Sequence, residues 1–326
     1  MSLVEMEMKA EVKAKPASTV MLLRDGGSGL EVFMVVRHHQ IDFASGALVF
    51  PGGRMEESDA ELAQSAARCP QSLDLDVAAR SLRVAAIRES FEECGILLAR
   101  PVGTADLISA ERLRTIDRNA PFPEILRREN LVLAIDLLVP FAHWITPPFM
   151  PKRFDTHFFI ALVPHDQLIT HDGRETVDSI WISPRIALEE SKRGRFKIVF
   201  ATERNLWKLS RFSDCASAVA AAKIDSIVTV MPERIAAGAG YCLKIPAAYI
   251  AYEHDDFATA ARRAGDINGE LQAITPHGDF QANQRDLTFW ISAHVAGRAW
   301  NQLRNFVTAE QAKWKDVVAA TGVKFD

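Results

Sequence analysis

The sequence predicts an α/β protein: helices on both faces of a mixed sheet, followed by a helix-rich extension. Three features carry that expectation. Two β-branched, apolar runs flank the Gly-rich turn Asp25-Gly26-Gly27-Ser28-Gly29. An apolar period of about 3.6 residues then runs from Val77 to Ile96. Strand-like runs return at Phe158–Val163 and Val177–Ile182, and Pro184 opens another helix. Alternation of strands and helices in this order builds layers around a sheet.

Taken in order, residues 1–17 are polar and expected to be loose. Thr19–Arg24 and Leu30–Arg37 read as a hairpin. Ala47–Phe50 is a short strand, and Pro51-Gly52-Gly53 is expected to be a loop, since Pro stops a ladder and paired Gly permits unusual dihedrals. The long helix can be capped by Asp74 or Asp76 and stops at Gly95. Further helices are expected over Ala105–Asp117, Pro123–Arg128 and from Pro184 through Glu190. From about Gly194 the character changes. Helices are expected at Thr202–Arg211, Ala216–Lys223, Phe257–Ala264, Asp286–Phe306 and Ala309–Ala320, with a hairpin of Ile227–Met231 against Tyr241–Ile245. The expected organisation is therefore a flexible 1–17, an α/β domain 18–193 and a helix-rich 194–326 packed on it.

Composition narrows the function classes. The 326 residues carry 38 Lys+Arg against 42 Asp+Glu, a net charge of −4, so no overall field draws nucleic acid or an anionic membrane. Apolar residues make up 48%, which excludes a disordered chain. Cys69, Cys94, Cys215 and Cys242 form no close pair and read as buried free thiols in a reducing compartment. The first fifteen residues lack the apolar core of a signal peptide, and no run of about 18 apolar residues is present to span a bilayer. The cytoplasm is the expected location.

The chemistry concentrates in Arg88-Glu89-Ser90-Phe91-Glu92-Glu93-Cys94-Gly95-Ile96. Glu89, Glu92 and Glu93 stand at i, i+3 and i+4, so their carboxylates share one helical face. Like charges at that spacing repel by a few tenths of a kcal/mol per pair, roughly. An oxygen-only set of this kind suits a hard divalent cation, Mg²⁺ or Mn²⁺, that also borrows ligands from substrate phosphates. A solvated acidic helix face is the other reading of the same spacing.

Upstream lies Phe50-Pro51-Gly52-Gly53-Arg54-Met55-Glu56-Glu57-Ser58-Asp59. Together the two segments resemble the Nudix box of the Nudix hydrolase superfamily: Gly, five residues, Glu, seven residues, then Arg-Glu-(apolar)-x-Glu-Glu-x-Gly-(apolar). Gly53 matches the first Gly, and Arg88, Glu89, Glu92, Glu93, Gly95 and Ile96 match the second half. Asp59 takes the place of the first Glu, and Ser90 that of an apolar residue. Between Asp59 and Arg88 stand 28 residues instead of seven, so the box is split by an insertion at about 60–87. A second landmark is Glu175-Thr176-Val177-Asp178-Ser179-Ile180-Trp181-Ile182. Phe141-Ala142-His143-Trp144-Ile145-Thr146-Pro147 and Arg153-Phe154-Asp155-Thr156-His157-Phe158-Phe159 look like the branch of the peroxisomal coenzyme A diphosphatase with an enlarged box. A coenzyme A signature from another Nudix branch is matched at Gly46 and Phe50–Gly53. Asp42 stands where it has Arg, and Arg37 lies one place off its other Arg.

The resemblance implies a Nudix α/β/α sandwich over about residues 18–190. It implies hydrolysis of a phosphoanhydride in a nucleoside diphosphate linked to a second moiety, coenzyme A or acyl-coenzyme A among them. ADP-ribose, NADH or dinucleotide hydrolysis, and a non-catalytic ligand sensor, are the alternatives. Glu89, Glu92 and Glu93 would hold the metal, with the Gly53 carbonyl as a further ligand. Arg88 would orient the box carboxylates, and Glu175 is a candidate base. Arg153, Arg37 and Trp144 are candidates for binding substrate. His143 and His157 alternate with apolar residues and read as satisfied, buried histidines. The C-terminal half could complete the pocket, cover the core or form a homodimer contact.

Overall fold

A computed structural model describes residues 12–36, 47–70, 74–167, 179–237 and 240–245. Strands β1 (Lys15–Gly26) and β2 (Gly29–Val36) form the expected hairpin, with Gly26 opposite Gly29. Gly29 takes φ +106°, a conformation that needs no Cβ at this tight turn. The order begins earlier than the sequence suggests, because Lys15 to Ser18 already pair with Phe154 to His157. The short β3 (Leu48–Val49) follows on β2.

The expected loop at Pro51–Gly53 is instead the approach to a strand, β4 (Gly52–Arg54), which pairs antiparallel with Ala17–Thr19. Pro51 contributes its carbonyl, accepting from the Val20 N–H, so its missing donor costs nothing there. A Cβ on Gly52 would lie 2.4 Å from the Ser18 carbonyl oxygen, so glycine allows this close approach of backbones.

The insertion is helical at both ends. Helix α1 (Glu57–Gln64) opens with a capping box between Glu56 and Asp59, and α2 (Val77–Cys94) starts on Asp76, whose carboxylate accepts from the Ala79 N–H. α2 ends on Gly95 at φ +71°. The two helices pack together, and the inserted residues supply α1, a connecting turn and the first half of α2.

Next come β5 (Ala99–Pro101), α3 (Ala110–Leu113), α4 (Phe122–Arg128) and β6 (Leu131–Leu133), with β5 and β6 paired in a small sheet of their own. The helix expected over Ala105–Asp117 shrinks to α3. The Ile108 N–H is bound to the Ala99 carbonyl, and the Ser109 hydroxyl caps at Arg112, so helix starts only there. Strands β7 (Val139–Ile145), β8 (Phe154–Leu162) and β9 (Ser179–Ile182) complete the centre, followed by α5 (Pro184–Lys192), α6 (Phe200–Leu209), α7 (Cys215–Ile224) and β10 (Thr229–Val230). The main sheet runs β10-β7-β8-β1-β2-β3, with β4 beside β1 and β9 beside β2. β1 with β8 and β10 with β7 are parallel, and the other pairs antiparallel.

Alternation along the strands assigns the layers. Ser18 donates to the Leu82 carbonyl of α2, and Arg83 of α2 lies over the Phe159 ring, so the face carrying Ser18, His157 and Phe159 looks at α2. Trp144 points the opposite way and meets Phe200 of α6 edge-on, at 5.7 Å between centroids. The mixed sheet thus lies between α2 and α6, and Val20 to Leu23 are buried on both faces. An α/β sandwich is the observed class.

Among the described residues, those up to Pro232 form one compact unit with this sheet, and those from Glu233 belong to another. In the second, β11 (Glu233–Ala237) pairs with β12 (Gly240–Lys244). That corrects the expected hairpin: Thr229 and Val230 pair with His143 and Trp144 of β7, leaving Glu233–Ala237 as the partner of β12. The helices expected beyond residue 245 lie outside the described residues. Cys69 and Cys215 are buried free thiols, and Cys94 is half-buried. Among the described residues, no helix is long and apolar enough to cross a membrane.

Candidate active site

Helix α2 presents Arg88, Glu89, Glu92 and Glu93 beside β4. Its interior is held by Ser81, whose hydroxyl donates to the Val77 carbonyl, and its end by Ser90, whose hydroxyl donates to the Ile96 carbonyl at 3.0 Å. Ser90 therefore replaces apolar packing with a bond that ties the helix end to the segment that follows it.

Arg88 is 4% exposed and spends all five N–H groups. Its Nε and Nη2 grip the Asp59 carboxylate in parallel, both at 2.9 Å, and Nη2 also reaches the Arg54 carbonyl at 2.9 Å. Nη1 donates to Glu89 at 2.9 Å and to Glu92 at 3.0 Å. A bidentate, charge-assisted fork of this kind fixes geometry as well as charge. Burial opposes the Arg88 charge, yet the bonds to Asp59 and the charges of Asp59, Glu89 and Glu92 hold its proton more tightly than usual. The shorter Asp59 reaches Arg88 because α1 carries it inward, fully buried; its Oδ2 also accepts from the Glu56 N–H at 2.8 Å.

The carboxylates then meet the glycines. A Cβ on Gly53 would stand 2.4 Å from Glu89 Oε1, so a larger residue there would displace the Glu89 carboxylate. Glu93 Oε2 accepts from the Gly52 N–H at 3.0 Å. Burial pushes the Glu89 carboxyl above its ordinary range, against the pull of Arg88. Glu92 and Glu93 are exposed, so the cluster opens to solvent on one side. Arg118, which no motif or spacing marks, donates from Nη2 to the Glu92 carbonyl at 2.6 Å and adds a cation at this rim.

The other candidates lie elsewhere. Trp144 is buried in the sheet–α6 layer. Arg153 is 6% exposed, and its Nε and Nη1 donate to the carbonyls of Thr146 (3.0 Å) and Val12 (2.7 Å), binding the β7–β8 connection to the start of β1. Arg37, Asp42, Gly46 and Glu175 lie outside the described residues.

His143 and His157 correct the expectation of buried histidines. Their side chains are 17% and 36% exposed, and they stack with centroids 4.0 Å apart beside Asp155. One His143 ring nitrogen, Nε2, is 2.5 Å from Asp155 Oδ1, and the other, Nδ1, is 2.8 Å from Thr229 Oγ1. Burial, the neighbouring His143 and Arg83 together push the His157 pKa down to about 4, with Asp155 opposing them. Asp155 and Thr229 are additions that the sequence reading did not select. The i, i+2 spacing of Asp155 and His157 on a strand is the signal that could have found the pair.

The chain is similar to known proteins of the Nudix type. A family profile described as the NUDT19 Nudix domain matches residues 61–211. Putative nudix hydrolase 7 of Caenorhabditis elegans is 26% identical over 188 residues, covering 56% of this chain and 57% of its own. The acyl-coenzyme A diphosphatases NUDT19 of Xenopus laevis and Gallus gallus are 28% and 27% identical, over 51% and 58% of this chain. The chain spans 56% to 63% of the length of these three relatives. Among solved structures, a NUDIX hydrolase from Alicyclobacillus acidocaldarius superposes with a TM-score of 0.56 at 27% identity, over 66% of this chain and 99% of its own. The chain is thus similar to Nudix hydrolases over its described α/β unit, with a helical insertion between the two segments that resemble the box.

Proposed function

We propose that this chain hydrolyses a phosphoanhydride with the help of a divalent cation, in a substrate built on a nucleoside diphosphate. The observation that carries the reading is the excess of carboxylates at α2: Asp59, Glu89 and Glu92 converge on the one guanidinium of Arg88, and Glu93 stands beside them on Gly52. A purely structural network would balance its charge. An open cluster of oxygen donors fits Mg²⁺ or Mn²⁺, and the space a Cβ would fill at Gly53 is already taken by Glu89. Glu89, Glu92 and Glu93 would hold the ion, with the Gly53 carbonyl as a further oxygen. Such an ion neutralises phosphoryl oxygens and lowers the pKa of a bound water.

The remaining parts are the chain's own. Arg88 holds Glu89 and Glu92 at a fixed separation through one nitrogen, and the Gly52 N–H aims Glu93. Preorganisation of this sort avoids rearranging charge during the reaction. The names of two relatives make coenzyme A and acyl-coenzyme A the first substrates to test. Location in the cytoplasm remains part of this proposal, as does a small-molecule partner rather than a nucleic acid or membrane.

The test is a panel of coenzyme A, acyl-coenzyme A, NADH and ADP-ribose with Mg²⁺ or Mn²⁺, read by product masses. Glu93→Gln removes a ligand charge at nearly constant volume, and kcat should fall by about 10²-fold or more. Wild-type turnover by this variant would overturn the assignment of Glu93. Absence of turnover on the whole panel, with nucleotide still bound, would favour the sensor.

A further inference from the structure

We propose that His143, Asp155 and His157 form a second metal centre, separate from the box carboxylates and suited to a borderline divalent ion such as Zn²⁺ or Co²⁺. The register of β7 and β8 assembles it. His143 is paired directly with His157, and Asp155 lies two residues before His157 on the same face of β8. One ligand atom from each of the three falls within 4.8 Å of the others. That spread lets one ion reach all three at the roughly 2.0–2.2 Å typical of zinc bonds to nitrogen and carboxylate oxygen, once the stacked rings rotate so that their in-plane lone pairs converge.

Position separates this set from the box. Gly53, Ser18, His157 and His143 lie in one row across four strands, β4, β1, β8 and β7. The histidines are thus two and three strands from the glycine that touches Glu89, at about 4.8 Å per strand. Ser18 is bonded to α2 between them.

Donor chemistry separates the two as well. The box offers oxygen only. Here two imidazoles and one carboxylate converge, a set that favours zinc or another transition metal over magnesium. Thr229 Oγ1 can accept the Nδ1 proton of His143 at 2.8 Å. In that tautomer Nε2 turns a lone pair toward Asp155 Oδ1, and a cation that binds both as the pair opens from 2.5 Å relieves two facing acceptors. A partner on the far ring nitrogen is the usual way a metal-binding histidine is oriented. The first four residues of β8 are half-exposed, so water can fill the remaining positions. Arg83, over the Phe159 ring and bonded to the Ala79 carbonyl, is the nearby positive charge that limits affinity.

The test is titration of the metal-stripped full chain with Co²⁺ in excess Mg²⁺, followed by its visible absorption and by displacement with Zn²⁺. Wild type should take up one Mg²⁺-resistant equivalent. His143→Gln and His157→Gln should each weaken it at least about tenfold with an unchanged far-UV circular dichroism spectrum, while Glu93→Gln keeps it. Zn²⁺ should also raise the Tm of wild type but not of the His143→Gln/His157→Gln double variant. Failure of wild type to bind, or binding that survives the double variant, would overturn the centre. Loss of hydrolysis alone would leave it untouched, since the titration does not pass through the box.

Discussion

Glu89 is held where its charge is least comfortable: against the bare Cα of Gly53, with 14% of its side chain exposed and Arg88 as its counter-charge. Burial raises its carboxyl pKa in the fold above the value of about 4.3 expected when unfolded. The folded state then binds this proton more tightly than the unfolded chain does. Its contribution to stability is fully present below the unfolded pKa and is lost as pH rises through the folded one. Glu89→Gln removes the cost, and its amide oxygen can still accept from Arg88. With metal chelated, the variant should melt above wild type at pH 8, and the gap should close as pH falls below about 4. Thermal unfolding across that range checks it. A gap that does not change with pH, or a lower Tm at pH 8, would show that the Arg88–Glu89 attraction outweighs burial.

At the scale of elements, the Asp59–Arg88 fork is a buried ion pair between α1 and α2. Removing one partner of a buried pair leaves the other uncompensated and costs about 3–5 kcal/mol. Asp59→Asn should therefore lower the urea midpoint by an amount on that scale. Activity should fall with it, because Arg88 then loses the anchor from which it holds Glu89 and Glu92; a stability change within about 0.5 kcal/mol would count against the coupling. The second helix was legible in the sequence because Asp76, the apolar period and Gly95 all mark the same element. The first was not: its buried face consists of Asp59, Leu62 and Ala63, so a carboxylate occupies a core position and breaks the pattern. The Glu89/Glu92/Glu93 trio could be read from spacing, whereas its partners could not. The Gly52 N–H and the Arg54 carbonyl join it through β4, a strand set by pairing with residues more than thirty positions earlier. His143 and His157 looked like core residues for a related reason. Alternation reports which face a side chain shares, not whether a helix extends far enough to cover it.

In the whole molecule, the change of composition near Gly194 suggested a boundary, yet α6, α7 and β10 belong to the compact unit that holds the sheet. Contacts invisible in one-dimensional pattern produce that result. Lys208, which a helical sequence alone would place among solvated charges, is 5% exposed, lies 4.1 Å over the Phe141 ring and donates to the Phe141 carbonyl at 2.7 Å. It pins α6 to the bulge of β7, where the register shifts between Pro140 and Ala142 and leaves a carbonyl to be satisfied. Lys208→Met retains the apolar stem and removes the ammonium, so the loss is that of a charged hydrogen bond together with an unsatisfied carbonyl. Stability should fall by about 1–3 kcal/mol, read from the urea midpoint with an unchanged m-value. The α2 carboxylates lie on the other face of the sheet, so kcat should stay within about twofold of wild type. A variant as stable as wild type would mean that Trp144 against Phe200, and the pairing of β10 with β7, hold this layer without the lysine.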